Sequence, residues 1–335
     1  MRHRLLVVTG ALALIVLPLA GQAPSSSTRA SFATKSGTVP RTADGHPELQ
    51  GIWTNATITP IERPAMFPGK LTVSDEDAAK YETQNNDNLY GDRRSSNAEQ
   101  DRDHAYNSLF FDRGTELARV DGVKRTSLII DPPDGKVPPM TPEAQKRAGS
   151  RLRGLQRFDR PQDRPLGERC LLGFGSTSGP PMMPVLYNNN YQIVQTSGAV
   201  VILNEMIHNV RIIPLDGRPH VPQSIRQWEG DSVGHWEGNT LVIDTTNFTD
   251  QIPFKGAQNL HVIERLTRAD EDTIVYQFTV EDPGMWTKEW SGELPITKID
   301  GQLYEYACHE ANYPLANTLR GARVAEAETA KKSAK

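Results

Sequence analysis

The chain is short of several things, and each shortage removes a class of function. Charge of one sign is missing: 37 Lys and Arg stand against 41 Asp and Glu in 335 residues, a formal net charge of −4. That balance gives no support to a nucleic-acid partner or to an anionic membrane surface. No glycine-rich phosphate loop follows a strand, so no dinucleotide is expected. Beyond residue 20 no run is long and apolar enough to cross a bilayer, so no membrane insertion of the mature chain is expected. Internal repeats and a domain linker are also lacking, which favours one domain. Only two cysteines are present, so at most one internal disulfide can form.

What is there begins with an address. Arg2 and Arg4 precede an apolar stretch over residues 5–20, and Gly21 and Ala23 supply small residues for cleavage. The pattern is that of a secretory signal peptide over residues 1–23, because polar Ser and Thr follow at once. No cysteine lies near the cut, which argues against a lipid anchor. A periplasmic or secreted protein is therefore expected, with a disordered leader over residues 24–40. In an oxidising compartment Cys170 and Cys308 invite a disulfide; two buried thiols are the alternative. In the chain-entropy picture such a closure is worth about 4–5 kcal/mol at most.

The 26 glycines and 24 prolines point to many turns, as in β-rich folds. Residues 42–53 read as a turn feeding a strand at Ile52 and Trp53. Ser74 caps a helix over residues 75–84, with Asp75, Glu76 and Asp77 at its positive end. The polar span 85–104 reads as a surface loop. Asp121-Gly122 marks a type I′ hairpin within residues 117–131, and Thr141-Pro142 starts a second helix that runs to about residue 156. Residues 158–190 form an irregular connection. Short strands with tight turns then occupy residues 191–308, the pattern of an antiparallel meander barrel or sandwich, lipocalin-like in outline. Ile274, Tyr276, Phe278 and Val280 share one face by their period of two. The β-rich domain is expected over residues 41–318, with a flexible tail over 319–335.

Candidate chemistry concentrates in that meander. Glu205 with His208, His261 with Glu264, and His309 with Glu310 lie on separate strands or strand ends, which a barrel can bring together. Imidazole suits proton transfer near neutral pH, and a carboxyl in a dry pocket can be tuned to join it. His208, His261 and His309, with Glu205 and Glu264, are therefore the catalytic candidates. His309 and Glu310 cannot both point inward, since neighbouring side chains alternate. The same residues could satisfy Zn²⁺, but the spacings match no compact ligand motif, so no metal or other cofactor is assigned. Arg211 and Arg265 are candidates to hold an anionic group, or else to pair with nearby acids. Trp236, Trp286 and Tyr306 are candidates for an aromatic wall, or else for ordinary core. Gly230-Asp231-Ser232-Val233-Gly234 matches the string of serine hydrolases, but no helix follows, and it reads as a turn.

Four stretches, DGHPELQGIWTNATITPIERP, YNNNYQIVQTSGAVVILNEMIHNVRIIPLDGRPH, WEGNTLVIDTTNF and YEYACHEANY, resemble a family of secreted bacterial proteins with no assigned activity. The resemblance implies that the N-terminal segment and the meander form one unit, and it carries over no catalytic residue. The residues themselves lead us to expect a periplasmic or secreted enzyme. It would act on a small, partly apolar molecule by acid/base chemistry in a barrel cavity, as an isomerase, lyase or hydrolase. A non-catalytic carrier of an apolar or aromatic ligand is the alternative.

Overall fold

The computed structural model describes residues 39–90, 96–97, 111–154, 157–173, 179–250, 259–310 and 312–334. The expected signal peptide and most of the leader and of the 85–104 loop lie outside them. Strand β1 (Gly51–Thr54) comes first, then β2 (Thr72–Val73), α1 (Asp75–Tyr90), β3 (Arg119–Val120), β4 (Val123–Arg125), β5 (Ile129–Asp131) and α2 (Pro142–Gly154). The meander follows: β6 (Asn190–Gln195), β7 (Ala199–Asn204), β8 (Val210–Pro214), β9 (Asp231–Glu237), β10 (Thr240–Thr246), β11 (His261–Arg268), β12 (Thr273–Glu281) and β13 (Trp290–Lys298). Helix α3 (Tyr313–Ser333) ends it.

Nine strands form one antiparallel sheet in the order β8-β7-β6-β1-β13-β12-β11-β10-β9, with β5 pairing the remaining length of β13. The sheet curls into a nearly closed barrel. At the seam β8 and β9 lie together without a backbone ladder. Side chains close it instead: Arg211 reaches Ser232, and Gly234 gives way to Ile213 and Leu215. A Cβ on Gly234 would lie 2.8 Å from Ile213 and 2.9 Å from Leu215. Strand alternation fills the interior. Val262, Glu264 and Leu266 of β11 and Ile274, Tyr276, Phe278 and Val280 of β12 are all buried, with the outward positions between them more exposed. The lower end is closed by Trp53, whose indole donates to the Leu49 carbonyl and lies under the Arg268 guanidinium. The barrel is thus a packed core along most of its length.

Local signals place the smaller elements. Asp121 (φ 51°) and Gly122 (φ 77°) both sit in the left-handed region, as a type I′ turn requires. Ser74 accepts from Asp77 at the start of α1, and Thr141 accepts from Ala144 at the start of α2. Three expectations fail. Helix α1 runs six residues past the expected end at residue 84, into the polar stretch read as loop. Residues 303–308 form no strand; they cross the barrel end as irregular chain. Residues 313–333, most of them assigned to a flexible tail, form α3, whose first turn Asn312 caps by accepting from Leu315. Alanine and glutamate favour that helix, and none of its residues is buried. Cys170 and Cys308 form the disulfide, with Cα atoms 5.8 Å apart.

Candidate functional site

Chemistry-bearing residues collect in three places: inside the barrel, on its outer face, and over its upper end, where β6 starts and β7 stops. Inside, Glu264 accepts two hydrogen bonds from Arg211, one at 3.1 Å, and a third from Tyr276 at 2.7 Å. The side chains of the pair are 3% and 0% exposed, so the two charges neutralise each other away from water. Burial works against the Arg211 charge, but adjacent Glu264 outweighs it and raises the guanidinium pKa. Burial, and then the same carboxylate, push the Tyr276 hydroxyl well above its usual range. The network extends from Arg211 to Ser232 at 3.3 Å and on to Thr245 at 2.9 Å. On the other side the Met182 amide donates to the Tyr276 oxygen at 2.8 Å, and Asn55 links the Met182 carbonyl to the Tyr191 hydroxyl. Ser232 belongs to β9, not to a turn, and its hydroxyl is consumed in this network. No nucleophile elbow is formed there.

On the outer face a row of ionisable groups crosses four strands. His220 contacts Asp231 at 2.9 Å and Asp244 at 3.0 Å. His261 contacts Asp244 at 3.0 Å and Glu281 at 2.9 Å. The His261 Nε2 approach to Asp244 is close but not aligned as a hydrogen bond. Asp244 is still the largest cause holding the His261 pKa up, to about 9, ahead of Glu281, with partial burial opposing both. Among the described residues, no group of three or more His, Cys, Asp or Glu is placed to hold a metal ion.

Over the upper end, three consecutive asparagines build a wall. Asn188 takes a left-handed turn (φ 57°) that asparagine tolerates better than most residues. Asn189, 1% exposed, accepts from the Val185 amide at 2.7 Å and donates to the carbonyls of Asp112 and Val185. Asn190 donates to Glu205 at 2.7 Å. The Asp112 amide donates to the Leu186 carbonyl at 2.7 Å, so residues 112–113 are stitched to residues 185–189. Beneath lies a cavity of about 490 Å³, lined among the described residues by Arg113, Val185, Leu186, Tyr187 and Met206. Such a volume suits a small organic molecule. A larger hollow of about 600 Å³ runs along α1 and is lined, among the described residues, by that one helix. Beside the cavity the Asp112 carboxyl is pushed up to about 6, first by burial of the carboxyl and then by Glu205; the residue as a whole remains exposed. The connection 205–208 that carries Met206 is strained, with buried Ile207 at φ 61° and His208 at φ 47°.

The residues singled out from sequence are therefore spread over different environments. His208 is exposed and hydrogen-bonds the Tyr306 carbonyl at 3.0 Å; His309 is exposed next to the disulfide; His261 sits on the outer face. The three imidazoles do not meet in an interior hollow. Glu205 lies at the upper end and Glu264 inside. Arg211 is spent on Glu264, and Arg265 pairs with Glu237 on the surface at 2.7 Å. Trp236 stacks on His46 with ring centroids 4.5 Å apart, and Trp286 packs edge-on to Trp290 in the core. Tyr306, hydrogen-bonded to cavity-lining Tyr187, has its hydroxyl pushed up to about 12 by burial and by that neighbour. Sequence reasoning passed over Asp112, Arg113, Asn189 and His220. The YNNNY string was the one available signal for the wall. Compared with protein-family models, curated proteins and solved structures, the chain matches none.

Proposed function

We propose that this is a periplasmic or secreted binding protein for a small, partly apolar molecule, held in the cavity over the upper end of the barrel. The observation that carries the reading is that cavity: about 490 Å³, with Val185, Leu186, Tyr187 and Met206 in its wall, on a frame fixed by buried Asn189. The disulfide and the signal-peptide pattern support the compartment. Binding is favoured over the enzyme reading because the histidines meant to supply its protons do not line this space. One observation keeps proton transfer as a second reading: Asp112, pushed up to about 6, can hold or release a proton near neutrality beside the cavity.

The test is to fill the space. Leu186 is part of the wall and 41% exposed, so Leu186→Trp should occupy the cavity without disturbing the barrel. Wild-type protein should bind the neutral fluorophore 1-aminoanthracene with an emission increase, and the variant should bind at least about ten-fold more weakly at an unchanged melting temperature. Equal binding by both proteins would reject the site.

A further inference from the structure

Among the described residues, the cavity wall carries one cation amid mainly apolar side chains. Arg113 lies beside Val185, Leu186, Tyr187 and Met206. Its Nε is buried without a hydrogen-bond partner, and among the described residues no carboxylate pairs with it. Several strand arginines are matched by a carboxylate, Arg211 by Glu264, Arg265 by Glu237 and Arg125 by Glu293, while Arg268 and Arg63 turn to backbone carbonyls instead. A half-buried guanidinium has lost part of its hydration, and without a counter-charge that loss is not offset. The backbone that carries it is held, because Asp112 on its N-terminal side is tied to Leu186 and Asn189. The planar fork of arginine fits a carboxylate through two parallel hydrogen bonds.

We propose, building on the binding reading above, that the cavity takes a monocarboxylate with an apolar body, its carboxylate on Arg113 and its ring or short chain against Val185, Leu186, Tyr187 and Met206. The ligand would supply the missing counter-charge, and the apolar walls would strengthen the ion pair by excluding water. Glu205 and Asp112 flank the same end of the barrel, so a dianion should be disfavoured relative to a monoanion.

The experiment is calorimetric titration of the full mature protein with acid and alcohol pairs that share one body, such as 4-phenylbutyrate with 4-phenylbutanol and octanoate with octanol. A charge-assisted hydrogen bond is worth roughly 1.5–3 kcal/mol, which is about 10- to 100-fold in affinity. Wild type should therefore favour each acid by at least about ten-fold. Arg113→Gln should bring acid and alcohol to near equality, with the acid losing by far the more affinity. Arg113→Lys should retain part of the preference, and Leu186→Trp should weaken both ligands. Equal affinity in wild type, or a preference that survives Arg113→Gln, overturns the carboxylate assignment and leaves the cavity standing. Failure of every acid and every alcohol to bind overturns both.

Discussion

Strand β11 carries two ionisable groups three residues apart that live in opposite worlds. Glu264 points inward and His261 outward, because an odd separation on a strand reverses the face. Inside, one arginine answers one carboxylate, and Tyr276 and Ser232 take up further hydrogen-bonding capacity. Outside, two imidazoles are strung among three carboxylates, each group 17–39% exposed. The inner pair has surrendered its hydration, so its integrity depends on every partner being present. The outer row keeps much of its water, so each member matters less but remains open to pH. Geometry alike in distance thus has different consequences on the two faces of one sheet.

The inner set should give the largest effect. Removing one member of a buried ion pair leaves an uncompensated charge and costs about 3–5 kcal/mol. Glu264→Leu should lower stability by that amount in chemical denaturation. Arg211→Met combined with Glu264→Leu should recover most of the loss, because an apolar pair of similar volume has no desolvation cost to offset. A double variant no better than the single one would mean that Tyr276 and Ser232, stripped of partners, dominate the cost.

A second, smaller effect probes the seam where the barrel closes without a backbone ladder. Gly234→Ala would drive a methyl group against Ile213 and Leu215. Ile213 is fully buried, so the neighbours must shift, at about 1–3 kcal/mol for overpacking. Gly198→Ala, in the β6–β7 turn with nothing within 4 Å of the added carbon, is the matched control and should stay within about 0.5 kcal/mol. If the two variants behave alike, the seam is not sealed by this contact.

The same parity argument shows what was legible in the sequence. The period of two gave the inward face of β12, and Asp-Gly and Thr-Pro gave the hairpin and the start of α2, because those signals are local. His261 and Glu264 could also have been separated on sequence grounds, since one strand cannot send both to the same side. What could not be read was pairing across distance. Nothing near Arg211 in sequence names Glu264, and nothing near Arg113 names Leu186; the barrel's closure decides the first and the bonds of Asp112 to Leu186 and Asn189 the second. His220 lies outside any strand, so no periodicity marked it. The two late misassignments have different causes: residues 319–335 are expected to fray from their place at the chain end, although their Ala and Glu favour the helix, whereas residues 303–308 are read from propensity alone. Aromatic and apolar content suggested a strand where the chain instead crosses the barrel end, tied down by Cys308.

The outer row offers the smallest effect and the most specific one, a dependence on pH. His261 has its pKa raised to about 9 from an ordinary 6.5. A group whose folded pKa is raised contributes stability that is fully present below about 6.5 and is lost as pH rises through 9. Asp244 is lowered, chiefly by contact with His261 and then against the opposing effect of burial, so its contribution is present above its ordinary value and lost in acid. The row should therefore be strongest between roughly pH 4 and 6.5. Discounted for solvent screening of these half-exposed groups, the His261 contribution should be about 1–2 kcal/mol. His261→Gln should lower stability by that amount at pH 6, and the difference from wild type should vanish above about pH 9. High salt should shrink it at pH 6, because water reaches these charges, whereas the loss in Glu264→Leu should hardly respond to salt. A His261→Gln deficit that persisted unchanged at alkaline pH would mean that the imidazole acts by packing, and the distinction between the two faces of β11 would then rest on burial alone.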